Sequence, residues 1–231
     1  MPIAIITGAS RGLGLALTRT LSAAGWSVVA DARHDTDLLG AVSELPNVVA
    51  VTGDVTDPAH RTELITAARK QGGLDLLVNN AGALGPSPLP SVAAVPEQAL
   101  RDLFEVNVIA PVALTQAALP LLRTGRGVVL NVTSDAAVEA YAGWGAYGAS
   151  KAALEHLGKV LGVEEETVTV WQVDPGDLRT RMHQDAFPGE DISDRPLPES
   201  VAPGLLGLLA QRPPSGRLRL ADWIPADTVS A

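Results

Sequence analysis

Short apolar runs alternate with longer segments of helical periodicity along most of the chain. Runs rich in Val, Ile and Leu predict β-strands at 3 to 7, 27 to 31, 48 to 52, 74 to 79, 127 to 133 and 167 to 173, with a weaker seventh at 216 to 221. Helical periodicity covers 12 to 24, 58 to 70, 97 to 122 and 145 to 162, with a shorter piece near 37 to 43. This alternation predicts βαβ units, and therefore an α/β fold with a doubly wound parallel sheet of about seven strands.

Two segments interrupt this rhythm. Residues 84 to 96 are rich in Pro and Ser, and residues 182 to 203 carry acids and prolines without a clear period. Both follow predicted strands, so both are expected at the carboxyl edge of the sheet, where open α/β sheets bind ligands. We interpret them as substrate-side loops, with plain surface connections as the alternative. The length of 231 residues predicts one domain spanning residues 1 to 231.

Composition narrows the possible partners. The net charge is −9, which disfavours nucleic acid or an anionic membrane surface as a partner, because both need a basic footprint. With no cysteine and no metal-ligand spacing among His34, His60, His156 and His183, no metal site is expected. The N-terminus lacks a basic region and a long apolar run, so a cytoplasmic location is expected.

A glycine-rich turn, TGASRGLG at 7 to 14, follows the first predicted strand and opens the first predicted helix. Glycines at 8, 12 and 14 allow a sharp turn and a close approach of the backbone to a pyrophosphate, whose charge then meets the helix N-terminus. The position between strand and helix favours a dinucleotide site over an ordinary turn.

Further motifs follow in an order that resembles the short-chain dehydrogenase/reductase family. The glycine turn has that family's T-G-x-x-x-G-x-G spacing. The other matches are Asp54 in GDVTD, NNAG at 79 to 82, Asn107 in FEVNVIAP, Ser134 in NVTSDAA, the Y-x-x-x-K pair Tyr147 and Lys151, and VDPGDLRT at 173 to 180. The resemblance implies a Rossmann-type fold, a nicotinamide dinucleotide cofactor and the catalytic set Ser134, Tyr147, Lys151 and Asn107. It also implies cofactor contacts from Gly8, Ser10, Arg11, Gly12, Leu13, Gly14, Arg33, Asp54, Val55, Asn80, Ala81, Gly82, Tyr147, Lys151, Pro175, Gly176 and Thr180.

Cofactor preference depends on the end of the second strand, GWSVVADAR. In the family an acid just past this strand favours NAD, and a basic residue there accepts the extra phosphate of NADP. Arg33 and Arg11 resemble the basic type, and a guanidinium fork matches a phosphate geometrically and electrically. Asp31 lies one position before the usual acid, so it either points into the sheet end or becomes a ribose ligand. NADP(H) is therefore the expected cofactor, with NAD(H) as the alternative.

Tyr147 and Lys151 are four residues apart, which places both side chains on one face of a helix. A tyrosine pKa near 10 must fall to about 7 for acid–base work at neutral pH, which needs about 4 kcal/mol. An ammonium at about 4 Å supplies about that amount at an effective dielectric constant near 20. The spacing therefore predicts that Lys151 lowers the pKa of Tyr147. The second tyrosine, Tyr141, has no lysine at this spacing and is expected at the substrate rim or the surface.

The family resemblance also implies a division of labour. Tyr147 would donate a proton to a substrate carbonyl oxygen, Ser134 would hold that oxygen, and Lys151 would bind the nicotinamide ribose. Asn107 would position Lys151 and a proton-returning water chain. This predicts an NADPH-dependent carbonyl reductase acting on a small-molecule carbonyl substrate. The alternatives are an NADP-binding sensor or regulatory protein, and an NAD-dependent secondary alcohol dehydrogenase.

Substrate and assembly are less constrained. The stretch GWGAYGASKAAL, the segment EEETVTVWQVDPGDLRTRM and the closing SGRLRLAD are similar to the branch with sepiapterin reductases and related dicarbonyl reductases. That branch implies ketones flanked by a second carbonyl or by a pterin ring. The family also implies a homodimer or homotetramer packed through the helices at 97 to 122 and 145 to 162. The short segment after the last strand favours the dimer.

Overall fold

A seven-stranded parallel sheet forms the centre of the fold. The computed structural model describes residues 1–226, and residues 227–231 lie outside the described part. The strands are β1 Ile3–Ile6, β2 Ser27–Ala32, β3 Val48–Thr52, β4 Leu76–Asn79, β5 Val128–Val132, β6 Thr169–Asp174 and β7 Gly216–Arg219. Their order is β3-β2-β1-β4-β5-β6-β7, and every neighbouring pair is parallel. The predicted doubly wound α/β fold is confirmed.

Helices cover both faces of the sheet. They are α1 Gly12–Ala23, α2 Asp35–Val42, α3 Pro58–Gln71, α4 Glu97–Phe104, α5 Ala110–Gly125, α6 Gly145–Glu164, α7 Arg181–Ala186, α8 Pro198–Val201 and α9 Gly204–Gln211. Helix α3 begins as its sequence predicts, because the Asp57 carboxylate accepts a hydrogen bond from the Ala59 backbone N–H and Pro58 is the first helical residue.

Strands β1 to β6 each supply side chains to two separate cores. Ala4 and Ile6 of β1 pack with α1 and α9 on one face, whereas Ile3 and Ile5 pack with α3 and α5 on the other. Because both faces are covered, the central strands are apolar at successive positions rather than at alternate ones. These apolar runs mark the strands in the sequence, and the predicted strand bounds agree with the structure to within two residues at each end.

The long helix predicted at 97 to 122 is interrupted. A π-helical turn, Glu105–Ile109, lies between α4 and α5, and α5 continues to Gly125. By length and composition the continuous run Glu97–Gly125 could span a membrane, but half of its most apolar window is buried within the domain. A buried core helix meets the same criterion, so this composition assigns no membrane location.

The segment 182 to 203 is more regular than its sequence predicts. It contains part of α7 and all of α8, and α9 follows directly. Helices α7 and α8 are too short to show a hydrophobic periodicity. Helix α9 is apolar on all sides because it packs between α1 and the turn at Leu220–Trp223. The prediction of an aperiodic loop was therefore wrong for the helical residues, while residues 84–96 are irregular apart from one 3₁₀ turn at Val92–Ala94.

The strand order reverses between β1 and β4, because the chain builds β2 and β3 on one side of β1 and the later strands on the other. Loops that leave the carboxyl ends of these two strands diverge and open a crevice. The glycine turn after β1 and the NNAG segment at the end of β4 border this crevice.

Candidate active site

The turn between β1 and α1 is held by hydrogen bonds to the end of β4. The Asn80 side-chain amide donates to the carbonyls of Thr7 (2.8 Å) and Gly8 (3.2 Å). The Thr7 hydroxyl in turn accepts from the backbone N–H groups of Asn80 (3.0 Å) and Ala81 (2.9 Å). The NNAG segment therefore fixes the conformation of the glycine turn.

Glycine is required inside this turn. Gly8 and Gly12 have φ values of +68° and +55°, a region that other residues rarely adopt. A Cβ at Gly14 would lie 2.3 Å from the Gly8 carbonyl oxygen, so the start of α1 could not approach the turn with any larger residue. The exposed amides at the start of α1 form a cradle that suits a pyrophosphate.

A single cavity of about 1110 Å³ runs from this cradle to Tyr147. Its size fits a dinucleotide together with a small substrate. With two exceptions, every predicted cofactor or catalytic residue lines it. The exceptions are Gly14 and Asn107, which are buried behind the cavity wall. The residues present therefore fit a bound nicotinamide dinucleotide.

Arg33 and Arg11 are exposed at one end of the cavity, beside Asp54. The Asp54 carboxylate accepts from the backbone N–H (2.9 Å) and hydroxyl (2.8 Å) of Thr56. Burial alone would raise the pKa of Asp54, but the Thr56 hydrogen bonds and the Arg33 charge lower it. The exposed side chains of Arg33 and Arg11 therefore line the same cavity as Asp54.

Asp31 matches neither of its two sequence-based alternatives completely. It is the fifth residue of β2, it is 1% exposed, and it lines the cavity. Its carboxylate lies 2.6 Å from His60 Nε2, and it also accepts a hydrogen bond from the Gly8 backbone. Asp31 is therefore already hydrogen-bonded to donors within the protein, and no motif in the sequence pairs it with His60.

The loop after β6 closes the opposite side of the cradle. Gly176 has a φ of +75° and donates its backbone N–H to the Asp174 carboxylate (2.9 Å). Thr180 caps α7 by accepting from the His183 backbone N–H (3.2 Å). The Thr180 methyl group lies 3.5 Å from the position that a Cβ on Gly12 would occupy, so the two loops face each other.

Ser134, Tyr147 and Lys151 line the cavity together. Tyr147 and Lys151 lie on the buried face of α6, and the Lys151 ammonium is 5.7 Å from the centre of the Tyr147 ring. The ammonium donates to the Val132 carbonyl (3.0 Å) at the end of β5. The Ser134 hydroxyl donates to Asp135 (2.9 Å) and accepts from the Ala136 backbone. The predicted catalytic side chains are therefore brought together.

The predicted fall in the pKa of Tyr147 is wrong for this structure. Burial raises the pKa of Tyr147, the negative charges of Asp135 and Asp174 raise it further, and a hydrogen bond with Ser134 only partly opposes them. Burial also lowers the pKa of Lys151 to about 8. The prediction from spacing alone omitted desolvation, which is the largest influence on the pKa of Tyr147 in this structure. Tyr147 consequently holds its proton at neutral pH.

Asn107 lies in the π-helical turn between α4 and α5 and is completely buried. Its side-chain amide accepts from the Ala83 backbone N–H (2.8 Å) and donates to the Ala83 carbonyl (2.9 Å) and the Ser150 hydroxyl (3.0 Å). It therefore ties the loop after β4 to α6. A Cβ on Gly82 would contact both Asn107 Oδ1 (3.4 Å) and Lys151 Nζ (3.5 Å), so Asn107 and Lys151 are close neighbours.

Aromatic side chains line the part of the cavity next to Tyr147. Trp144 packs edge-on against Tyr147, with ring centres 5.6 Å apart, and against Phe187 at 5.9 Å. Tyr141 is about half exposed at the cavity mouth and donates its hydroxyl to Asp135 (3.0 Å). The two interrupting segments meet here, because the Ser87 hydroxyl donates to the Asp185 carbonyl (2.6 Å).

The sequence patterns did not predict a charged cluster that lies beneath Ser134. Arg217 of β7 forms ion pairs with Glu155 of α6 and with Asp174 (2.9 Å), and donates to the Ser134 carbonyl (3.2 Å). Glu155 also accepts from the Thr133 hydroxyl (3.0 Å). A possible signal was the position of Glu155, one helical turn after Lys151 on the same face. Among residues 1–226 no group of three or more His, Asp or Glu side chains could hold a metal ion.

Comparisons with known proteins agree with this geometry. The sequence profile described as short chain dehydrogenase matches residues 2–191. An uncharacterized oxidoreductase of Saccharomyces cerevisiae is 35% identical over 192 residues, covering 78% of this chain and 72% of that protein. A granaticin polyketide synthase putative ketoacyl reductase of Streptomyces violaceoruber is 33% identical, covering 96% and 94%.

A solved structure shows the same architecture. The alcohol dehydrogenase of the archaeon Thermococcus sibiricus, complexed with 5-hydroxy-NADP, is 27% identical with a TM-score of 0.85, and the match covers 95% of both chains. The profile match extends over most of this chain and includes the glycine turn, Ser134, Tyr147 and Lys151. The chain therefore belongs to the short-chain dehydrogenase/reductase family and is an NAD(P)-dependent oxidoreductase.

Proposed function

We propose that this protein is an NADPH-dependent carbonyl reductase that acts on a ketone with a second carbonyl or another polar group nearby. The observation that carries the proposal is the continuous cavity that joins the glycine cradle and Arg33 at one end to Ser134, Tyr147 and Lys151 at the other. NADPH would extend along this cavity and, when bound, would supply the hydride for the substrate carbonyl carbon.

The side chains around the substrate would manage the proton and the carbonyl oxygen. Tyr147, whose pKa is raised, is protonated at neutral pH and so is suited to donate a proton to that oxygen. The Ser134 hydroxyl can rotate from Asp135 to hold the same oxygen. Lys151 would bind the nicotinamide ribose hydroxyls. Asn107 would hold the loop after β4 against α6 through its hydrogen bonds to both. Protonated Tyr147 is the form that ketone reduction requires.

The aromatic wall and Asp135 indicate the kind of ketone. Trp144 and Phe187 offer apolar faces, while the Asp135 carboxylate accepts hydrogen bonds beside the reacting groups. A dicarbonyl or hydroxyketone has both an apolar body and a polar neighbour for the carbonyl. The name of the Streptomyces relative, a putative ketoacyl reductase, is compatible with such a substrate. The sepiapterin reductase-like branch, the cytoplasmic location and the homo-oligomer remain predictions.

Turnover with a substrate panel tests the proposal. Purified protein is mixed with NADPH or NADH and with vicinal diketones, β-ketoesters, a pterin diketone, simple ketones or aldehydes, and nicotinamide absorbance is followed. We expect NADPH consumption that is fastest with ketones carrying a second carbonyl. Tight NADPH binding without turnover in either direction would instead favour the sensor hypothesis. Turnover restricted to NAD and secondary alcohols would favour the dehydrogenase.

Arg33 is predicted to provide the selectivity for NADPH. Replacing Arg33 with Ala should raise the dissociation constant of NADPH about ten- to a hundredfold, because charge-assisted hydrogen bonds to a phosphate are each worth about 1.5–3 kcal/mol. The dissociation constant of NADH should change less than about twofold, because no phosphate is lost. Fluorescence titration measures both values. Arg69→Ala, on the exposed surface of α3 and outside the cavity, is the matched control. Equal losses for both cofactors would show that the phosphate does not bind at Arg33.

A further inference from the structure

A buried acid and a buried histidine face each other at the phosphate end of the cavity. Asp31 is 1% exposed and His60 is 4% exposed, and Asp31 Oδ1 lies 2.6 Å from His60 Nε2. Asp31 lines the same cavity as Arg33 and Arg11 and accepts a hydrogen bond from the Gly8 backbone in the phosphate cradle. The carboxylate therefore lines the same cavity as the two guanidinium groups that would bind the ribose phosphate of NADPH.

The chain makes room for His60 at this place. A Cβ on Gly53 would lie only 2.2 Å from His60 Nδ1, so glycine at the end of β3 is what allows the imidazole to reach under the strand. The charged groups that face the pair are Glu63 of α3, whose carboxylate is 3.7 Å from His60 Nδ1, and Asp54 after β3. Arg33 faces Asp54 from the end of β2. Within residues 1–226, the charged groups that act most strongly on His60 are therefore carboxylates.

We propose that His60 is a positioning residue for cofactor specificity, which neutralises Asp31 beside the phosphate site and so permits NADPH to bind. The inference rests on the proposed NADPH-dependent function. An unpaired carboxylate at this place would repel a ribose phosphate and favour a free ribose hydroxyl, as in NADH. By holding Asp31, His60 removes that repulsion without removing the acid.

The protonation state of Asp31 and His60 determines how NADPH affinity changes with pH. The hydrogen bond with Asp31 raises the pKa of His60 above its ordinary value of 6.5, although burial opposes this. Burial raises the pKa of Asp31, and the hydrogen bond with His60 opposes that rise. Between the folded pKa of Asp31 and that of His60 the pair carries no net charge. As pH rises through that value His60 loses its proton, and one negative charge remains beside the phosphate, so NADPH affinity falls.

A double-mutant cycle tests the inference by binding rather than by activity. Dissociation constants for NADPH and NADH are measured by fluorescence titration in the wild type, His60→Gln, Asp31→Asn and the double variant. Glutamine keeps a donor for Asp31 but carries no charge. Unit charges about 8 Å apart at an effective dielectric constant of about 40 change affinity roughly sixfold. We therefore expect His60→Gln to lower the preference for NADPH over NADH about fivefold or more, and to have no such effect in the Asp31→Asn background.

A second arm uses pH and needs no histidine variant. From pH 7 to 9.5 the phosphate charge is constant, because its second ionisation lies near pH 6. Over this range we expect the NADPH preference to fall in the wild type but to stay level in Asp31→Asn. Ionisation of Tyr147 or Lys151 affects both cofactors equally and cancels in the ratio. The pH arm can be carried out even if His60→Gln does not fold. For the His60→Gln measurements, His156→Gln on the exposed face of α6 is the matched control.

The outcomes separate this inference from the function on which it rests. Equal losses of NADPH and NADH in His60→Gln, or the same loss of preference with and without Asp31, would overturn the role of His60 and leave the reductase proposal intact. A wild type without preference for NADPH would overturn the proposed cofactor. An NADPH preference in the wild type that stays level while His60 loses its proton would also overturn the role of His60.

Discussion

Replacing Tyr147 with Phe should reduce kcat at least a hundredfold while the dissociation constant of NADPH changes less than about twofold. General acid catalysis contributes about 10²- to 10⁴-fold, and phenylalanine removes only the hydroxyl that donates the proton. The ring would still pack against Trp144 in the wall of the cavity. Steady-state kinetics with the best ketone of the panel, together with fluorescence titration of NADPH, measure the two quantities.

Tyr141→Phe is the matched control, because Tyr141 is the other tyrosine of the chain. It lies at the cavity mouth and loses one hydrogen bond, to Asp135, so kcat should fall no more than about fivefold. Comparable losses in both variants would mean that hydrogen bonding around Asp135, rather than proton transfer from Tyr147, limits turnover. Retained turnover in Tyr147→Phe would remove this residue from the mechanism.

The fold could be predicted because its signals are local. Each strand is a short apolar run between helices, and Asp57 followed by Pro58 marks the start of α3 within the sequence itself. The interruption at Glu105–Ile109 and the short helices α7, α8 and α9 could not be predicted in this way. A π-turn leaves the helical pattern nearly unchanged, and helices of one or two turns are defined by what they pack against.

The site could be predicted where its residues fall in motifs of fixed spacing. The glycine turn, Tyr147 and Lys151 lie where the pattern requires. The Asp31 and His60 pair could not be predicted, because its members are 29 positions apart and belong to no motif. The protonation of Tyr147 was also missed, since a spacing gives the distance between two charges but not the burial that opposes ionisation.

Replacing Arg217 with Met should lower the free energy of unfolding by about 3 kcal/mol, because it removes the guanidinium that forms ion pairs with two buried carboxylates. Glu155 is 2% exposed and Asp174 is 7% exposed, and the Arg217 guanidinium pairs with both. Methionine fills much of the same space but offers no charge. Urea unfolding at pH 7 measures the loss. Arg219→Met, on the exposed part of the same strand, should change the free energy of unfolding by less than about 0.5 kcal/mol.

Acid provides a second check on the same cluster. Burial would raise the pKa of Glu155, but hydrogen bonds from Lys159 and Thr133 and the charge of Arg217 lower it below its ordinary value of 4.5. The stabilisation by this carboxylate is therefore complete above about pH 4.5 and is lost as pH falls through the folded pKa. The difference in stability between the wild type and Arg217→Met should narrow over that range.

A difference that stays constant as pH falls through the folded pKa of Glu155 would mean that Arg217 stabilises the fold by packing of its aliphatic stem rather than by its charge. Arg217 also donates a hydrogen bond to the Ser134 carbonyl, so it contacts the backbone of a predicted catalytic residue. If the guanidinium holds the Ser134 backbone in place, Arg217→Met should also lower kcat at temperatures where the variant is fully folded. The substrate carbonyl would then meet a less fixed Ser134 hydroxyl while Tyr147 remains able to donate its proton.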